Sequence, residues 1–507
     1  MSNTGKATVE GTKSFLENFN IKNNTLGGTN FSVSAAGFGC YRVDAEIEQH
    51  RQALHLAIDN GINIFDTSSN YTNGFSEECV GDVLNQKIID SEIKRENVVV
   101  ITKGGYIQGE DYIEVQAQKK EGKAFPEIVE YSKGLDHCIH PKFLETQLAR
   151  SLDRLLLETI DIYLLHNPEY YLNYCKLNNV ALADARNEYY RRIKEAFIYL
   201  ESEVDKGRIQ YYGVSSNTFI EPNESYDYTS YSMLIEIAKS ISPNHHFKLI
   251  QCPFNLLENE ASKIKNQSNN QTLFEACKTN NTAVLINRPF NAITPNQQFI
   301  RLTEFWPEDE LSSLEIQDIV NQLMAFENSW ENLNLEKQVD KETLQEIQAF
   351  FTIGSELHKN WPTFEGYEYW KEALSQYIVP RIEYGMSLIT SNNELLESQQ
   401  AWIEEYLSIL NNLIAEVSNY YKSLSASRSQ RLKAQLLFSL NQSNNHSSLS
   451  QLTLQCYYNI PAISSVLVGM RQVDYVNDVI ISLKEESTLP TDSLNWEKVK
   501  ERLISAI

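Results

Sequence analysis

A chain of 507 residues is longer than one hydrophobic core usually holds, so a main domain with a large insertion or second domain is expected. Lys and Arg total 44 against 67 Asp and Glu, a net charge of -23, which argues against general binding to nucleic acid or anionic membranes. No apolar run is long enough to span a bilayer, no apolar segment follows Lys6 as a secretory signal requires, and the 7 cysteines form no CxxC pair, so free thiols in a reducing cytoplasm are expected.

In chain order, residues 1 to 33 read as a short extension and a hairpin turned at Leu26-Gly-Gly-Thr-Asn30. A first strand over Ala35–Gly39 leads to a helix over Glu46–Asn60, with Ile47, Ala53, Leu54, Ala57 and Ile58 at helical spacing and a stop at Gly61. Ile62–Asp66 is the second strand. A helix follows over Ser76–Ile89, with Ser76 at the N-cap position. The third strand, Val98-Val-Val-Ile-Thr-Lys103, is apolar enough to be buried on both faces, as in a parallel sheet. Gly104 to His140 is polar and irregular, a long loop suited to substrate contacts. Pro141–Leu157 is helical and Asp161–His166 is the fourth strand. Further strands are expected at Tyr211–Ser216, Lys248–Phe254 and Ala283–Arg288, separated by helices over Ala183–Lys206, Tyr231–Ile241 and Thr272–Lys278.

The alternation then stops. From 295 to about 444 the pattern is helical, with helices expected over Leu311–Phe326 and Lys341–Leu357. The clearest stripe runs from Leu395 through Trp402, Tyr406, Leu410, Leu413 and Val417 to Tyr421. A helix over Ser448–Tyr458, an eighth strand over Ser464–Gly469, a helix from Val473 to Leu483 and a tail from Trp496 to Ile507 close the chain. The architecture expected is α/β: a (β/α)8 TIM barrel with an N-terminal hairpin and an inserted α-helical subdomain. Residues 1–294 would carry strands 1–7, 295–445 the insertion, and 446–507 strand 8 with the C-terminal helices. An open doubly wound sheet ranks second, because no Gly-x-Gly-x-x-Gly follows the first strand.

Three of these strands end in reactive side chains, Asp66, Lys103 and His166. A buried strand ending in an ammonium requires a partner for the charge. With Tyr71, these residues lie in segments that resemble the aldo/keto reductase superfamily: Phe65-Asp-Thr-Ser-Ser-Asn-Tyr71 with Gly74 and Ser76-Glu77, Ile101-Thr-Lys103, Asp161–His166, Tyr212-Gly-Val-Ser-Ser-Asn217 and Gln251–Leu257. The resemblance covers 30 to 295 and 445 to 485. It implies an NAD(P)H-dependent oxidoreductase acting on an aldehyde, ketone or sugar, with a catalytic tetrad of Asp66, Tyr71, Lys103 and His166. A tyrosine hydroxyl, ordinarily a weak acid with a pKa of about 10, would be lowered by Lys103 and act as general acid/base. Asp66 would pair with Lys103, and His166 would hold the carbonyl oxygen or share in proton transfer.

The same resemblance implies NADP(H), or NAD(H), across the barrel mouth. Ser215, Ser216 and Gln251 fall where the family bonds the nicotinamide carboxamide. Gly469 and Arg471 open a helix suited to phosphate, with Arg471 the residue for a 2′-phosphate, and Tyr475 and Asp478 fall near adenosine. Two departures stand out. Asn287-Arg-Pro-Phe290 replaces the family's aromatic-Ser-Pro-Leu, with Arg288 placed for the pyrophosphate, and Val479 stands where Asn is common. Tyr41, Arg42, Tyr106 and Asn167 would line the substrate pocket. No metal is expected, since only Asp66 and His166 offer ligands at strand ends. The second functional reading is a cofactor-binding redox sensor or scaffold, whose 295–445 segment binds a protein or a second copy of the chain.

Overall fold

The computed structural model describes residues 3–294, 296, 298–304, 313–390, 395–442, 446–485 and 495–507. Eight strands close into a ring: β1 Ala36–Gly39, β2 Ile64–Asp66, β3 Val99–Gly104, β4 Ile160–His166, β5 Ile209–Ser215, β6 Phe247–Pro253, β7 Ala283–Asn287 and β8 Ser465–Val468. Every neighbouring pair is parallel and follows chain order around the ring, with β8 returning to β1. The fold is the expected (β/α)8 barrel. The crossover helices are α1 Glu48–Asp59, α2 Phe75–Ile89, α3 Pro141–Arg154, α4 Leu182–Asp205, α5 Tyr231–Ile241, α6 Leu273–Thr279, α7 Leu449–Tyr458 and α8 Val473–Lys484.

Local chemistry sets these elements. Every residue of β3 and β4 is buried, the condition of a strand covered by helices outside and by the barrel core inside. Pro141 opens α3, where its missing N–H costs nothing, and Phe143, Leu144, Leu148 and Ser151 face the barrel from one side. Thr272 and Glu275 close a reciprocal capping box on α6. The barrel interior gathers Ile64, Val99, Ile101, Ile162, Leu164, Leu249, Leu285 and Leu467. Leu26, Phe31 and Val33 join this cluster from the N-terminal hairpin, Asn23–Thr25 paired with Ser32–Ser34. All 7 cysteines are free and buried.

Four local expectations are corrected. A helix, Val9–Leu16, precedes the hairpin. Thr8 caps it, and Gly11 sits so close to the Glu96 carbonyl that a Cβ would lie 2.5 Å from its oxygen, so tertiary contact overrides weak propensity. Ser76 is not an N-cap: Gly74 stands there at φ +98°, and Ser76 Oγ donates to the Cys40 carbonyl at 2.9 Å. The segment from Gly104 to His140 is not irregular. It holds the helix Gly109–Lys120 and an antiparallel sheet of Tyr106–Gln108, Leu135–His137 and Val129–Ser132. Phe299–Arg301, inside the stretch from 295 expected to be helical, is a strand that pairs antiparallel with Asn291–Ile293.

The chain divides into two compact units. One is the barrel, up to Leu302 and again over Leu436–Ser505, and the other comprises Thr303–Gln435 with Ala506–Ile507. The second is helical, with Ser313–Glu327, Lys341–Phe350, Ile353–Asn360, Tyr367–Ala373, Val379–Thr390 and most of Glu397–Ser439. Residues 311 and 312 of the expected first helix lie outside the described residues. The expected Lys341–Leu357 helix is two, broken at Phe351 and Thr352. Ile316, Val320, Leu323, Ile347, Trp370, Tyr406, Leu410, Leu413 and Val417 form its core.

Candidate active site

Strand register gathers the site at one end of the barrel. Asp66 pairs with Gly39 and Ile101, and Lys103 with Leu164. Ser215 pairs with both His166 and Gln251. Tyr71 reaches the same place through the loop after β2. Thr72, Asn73 and Gly74 all have positive φ, which turns the chain sharply out of the strand and into α2.

Lys103 is wholly buried, and its ammonium has three acceptors, one for each hydrogen. They are Asp66 Oδ2 at 2.7 Å, the Thr67 carbonyl at 2.8 Å and the Tyr71 hydroxyl at 3.1 Å. Burial alone pulls its pKa down, but Asp66 and Tyr71 outweigh this and hold it above the ordinary lysine value. Burial pushes Tyr71 up. Lys103 pulls it down without cancelling that effect, so the lowering expected of Lys103 is present but outweighed. His166 is driven well below the usual imidazole range by burial, then by Lys103 and His137, so it is neutral near pH 7.

A chain of polar bonds leads from this cluster toward β7. Gln251 Nε2 donates to Asp66 Oδ1 at 2.8 Å, and Gln251 Oε1 accepts from Ser215 Oγ at 3.1 Å and Asn287 Nδ2 at 3.2 Å. Ser216 does not join it. Its hydroxyl accepts from the Thr218 N–H and contacts the Thr218 hydroxyl and that of Thr229, just before α5. Asn287 Oδ1 and Arg288 Nε are buried without a partner among the described residues, and Arg288 touches Glu258 at 3.3 Å. Across the mouth, Tyr106 lies edge-on to His166 at 4.7 Å and accepts from Asn167 Nδ2 at 2.7 Å. Tyr41, 63% exposed, meets Tyr71 edge-on, with Arg42 over its ring. Gly469 and half-exposed Arg471 follow β8. Tyr475 is exposed, while Asp478 is occupied by donors from the first turn of α7, Ser448, Ser450 and Gln451.

Residues 37–292 match the model of the aldo/keto reductase family. The chain belongs to the aldo/keto reductase family. A Bacillus subtilis (strain 168) protein named uncharacterized oxidoreductase YqkF is 27% identical over 222 residues, 44% of this chain and 56% of that protein. The NADH-specific methylglyoxal reductase of Escherichia coli (strain K12) is 28% identical over 162 residues, 29% of this chain and 42% of that one. The chain spans about half the length of these curated relatives. Among solved structures, an aldo-keto reductase from Bacillus halodurans in its holo form is 15% identical, with 96% of each chain covered and a TM-score of 0.46.

The chain also carries residues beside these groups that sequence reasoning missed. Ser68 Oγ lies 3.0 Å from His166 Nδ1, and His137 Nε2 lies 2.7 Å from the His166 carbonyl oxygen. Glu169, three residues past His166, accepts from the Asn217 N–H at 2.9 Å. Its other oxygen is buried without a partner among the described residues, and burial pushes it up to about 7. The turn Lys133-Gly134 between two short alternating runs was a signal for the strand that delivers His137. Ser68 had none.

Proposed function

We propose that this protein is an NAD(P)H-dependent oxidoreductase, interconverting an aldehyde, ketone or sugar carbonyl with the alcohol, with Tyr71 as general acid/base. The observation that carries this reading is the buried Lys103 ammonium, held by Asp66 and 3.1 Å from the Tyr71 hydroxyl. In reduction, Tyr71 gives its proton to the developing alkoxide. The Tyr71 O–H bond breaks, the product O–H bond forms, and the phenolate left behind faces Lys103. Asp66 keeps that ammonium in place, and its other oxygen accepts a hydrogen bond from Gln251. Neutral His166 borders the reacting oxygen.

The donor set fits a nicotinamide cofactor. Ser215, Gln251 and Asn287 present hydroxyl and amide groups in one cluster, and the orphaned Asn287 Oδ1 and Arg288 Nε are an acceptor and a donor awaiting a polar ligand. Arg471 has no carboxylate partner among the described residues and precedes α8, a setting for the 2′-phosphate of NADP(H). When bound, the cofactor supplies or accepts the hydride. Tyr475 is left to border the adenosine, since Asp478 is engaged with α7. Tyr41, Arg42, Tyr106 and Asn167 would shape the substrate side.

The test is turnover of an aldehyde, ketone and sugar panel by purified protein with NADPH or NADH, followed at 340 nm. Tyr71→Phe should abolish turnover while cofactor fluorescence still reports binding. Activity that survives Tyr71→Phe would remove the proton-transfer assignment.

A further inference from the structure

β6 ends at Pro253, and the chain turns back at once around Asn255, which is wholly buried. Asn255 Oδ1 accepts from the Leu257 and Glu258 N–H groups at 3.0 and 2.8 Å. Its Nδ2 donates to Glu258 Oε2 at 2.8 Å and to the carbonyls of Arg288 and Asn291 at 3.4 and 3.3 Å. One end of the amide meets only N–H groups and the other only oxygens, so its orientation is fixed. The loop is thereby fastened to the turn after β7. Tyr457 of α7 joins the two again, accepting from the Leu256 N–H and donating to the Pro289 carbonyl, each at 3.0 Å. The same loop is tied to the helix Trp496–Ser505, with Trp496 edge-on to Phe254 at 5.8 Å and Lys500 paired with Glu260 at 2.8 Å.

Arg288 is the residue that these contacts surround. Its backbone is left-handed, at φ +55°, a conformation that a residue with a side chain rarely adopts. Glu258 Oε1 accepts from its Nη2 at 3.3 Å, while Glu258 Oε2 is taken by Asn255 and by the Ile293 N–H at 3.1 Å. An arginine and a carboxylate at their strongest meet fork to fork, through two parallel bonds. Here one long bond forms, and Arg288 Nε stays buried without a partner among the described residues. An unpaired buried donor is costly. It leaves the guanidinium open to a further acceptor, one residue from the orphaned Asn287 Oδ1.

We propose that Glu258 is a positioning residue that holds the Arg288 guanidinium ready for the phosphate oxygens of the cofactor, so that the loop after β6 sets how firmly the cofactor is kept. The inference rests on the cofactor reading given above. Ordering Arg288 in advance removes that cost from binding. The charge of Glu258 by itself repels an anion. Positioning and bare electrostatics therefore predict opposite signs when that charge is removed.

Glu258→Gln tests the sign, because a glutamine oxygen still accepts from Asn255 and Ile293 while its NH2 group cannot accept from Arg288. The dissociation constant for NADPH is read by cofactor fluorescence on the full chain. Beside it, 15N relaxation of the Arg288 Nε–H is read in cofactor-free protein, with the signal assigned by its absence in Arg288→Ala. Glu258→Gln should weaken NADPH binding by about three- to tenfold and make the Nε–H mobile. Arg288→Ala should weaken binding by about tenfold or more, and adding Glu258→Gln to it should cost nothing further. Unchanged or tighter binding in Glu258→Gln, an additional loss in the double variant, or an Arg288 Nε–H already mobile in wild type each overturns this role alone. Wild type that binds neither NADPH nor NADH overturns the cofactor reading, and this role falls with it.

Discussion

Lys103→Met is the sharpest perturbation this barrel offers. It removes a fully buried ammonium while keeping a side chain of similar length. Asp66 Oδ2, the Thr67 carbonyl and the Tyr71 hydroxyl all lose a donor, at 2.7, 2.8 and 3.1 Å. The carboxylate is left buried and uncompensated, which costs about 3–5 kcal/mol. Tyr71 loses the positive charge that holds its proton affinity down, and burial and Asp66 remain to raise it. A preorganised group facing transition-state charge is worth about 100- to 1,000-fold in kcat, and that is the expected loss. Loss of stability alone could mimic this, so the double variant Lys103→Met/Asp66→Asn separates the two. Removing the stranded carboxylate charge should recover most of the melting temperature and none of the turnover. The assay is NADPH-coupled kcat/KM beside thermal unfolding for all three proteins. A single variant within tenfold of wild type, or a double variant that regains activity, would refute the role given to Lys103.

Two further outcomes concern pH. Burial lowers His137 from the ordinary 6.5 to about 4. Between those values the unfolded chain binds a proton that the folded chain refuses, so stability falls as pH drops through that window, by up to about 3 kcal/mol. His137→Gln keeps an N–H for the His166 carbonyl but cannot titrate, so its melting temperature should fall less steeply than wild type from pH 6.5 to 4, and parallel curves would refute this. In the helical unit, burial raises Glu327 from 4.5 to about 7 while it accepts from the Gly354 N–H and the Tyr406 hydroxyl. Here the folded chain holds the proton longer, so stability is lost as pH rises from 4.5 through 7. Glu327→Gln should gain on wild type across that range, by up to about 3 kcal/mol, as read by melts in matched buffers.

The barrel was legible because its strands are short apolar runs that end in polar residues, and parallel strands buried on both faces must read that way. Asp66, Lys103 and His166 announced themselves as charged or titratable groups at those ends. The Val9–Leu16 helix was not legible, since Gly11 and Thr12 are poor helix formers and only the approach to Glu96 explains Gly11. Ser68 and His137 were hidden for another reason. Their partner, His166, lies 98 and 29 residues away, and no local pattern encodes a hydrogen bond across that distance. Ser216 was opaque in the same way: its hydroxyl contacts Thr229, 13 residues on, as well as its neighbour Thr218.

The state of Lys103 also decides between two kinds of lysine chemistry that a barrel can host. A lysine that forms a Schiff base must be neutral to attack a carbonyl, which calls for a lowered pKa and a free lone pair. Lys103 has neither. Asp66 and Tyr71 hold it above the ordinary lysine value, and its three hydrogens point at three fixed acceptors. Such an ammonium acts as a fixed charge. What it can change is the proton affinity of the group beside it, and the ionisable group beside it that is not already its counter-ion is the Tyr71 hydroxyl. The same charge disfavours a proton on His166. One buried cation therefore pulls on both neighbours at once, keeping the imidazole neutral and easing the loss of the tyrosine proton.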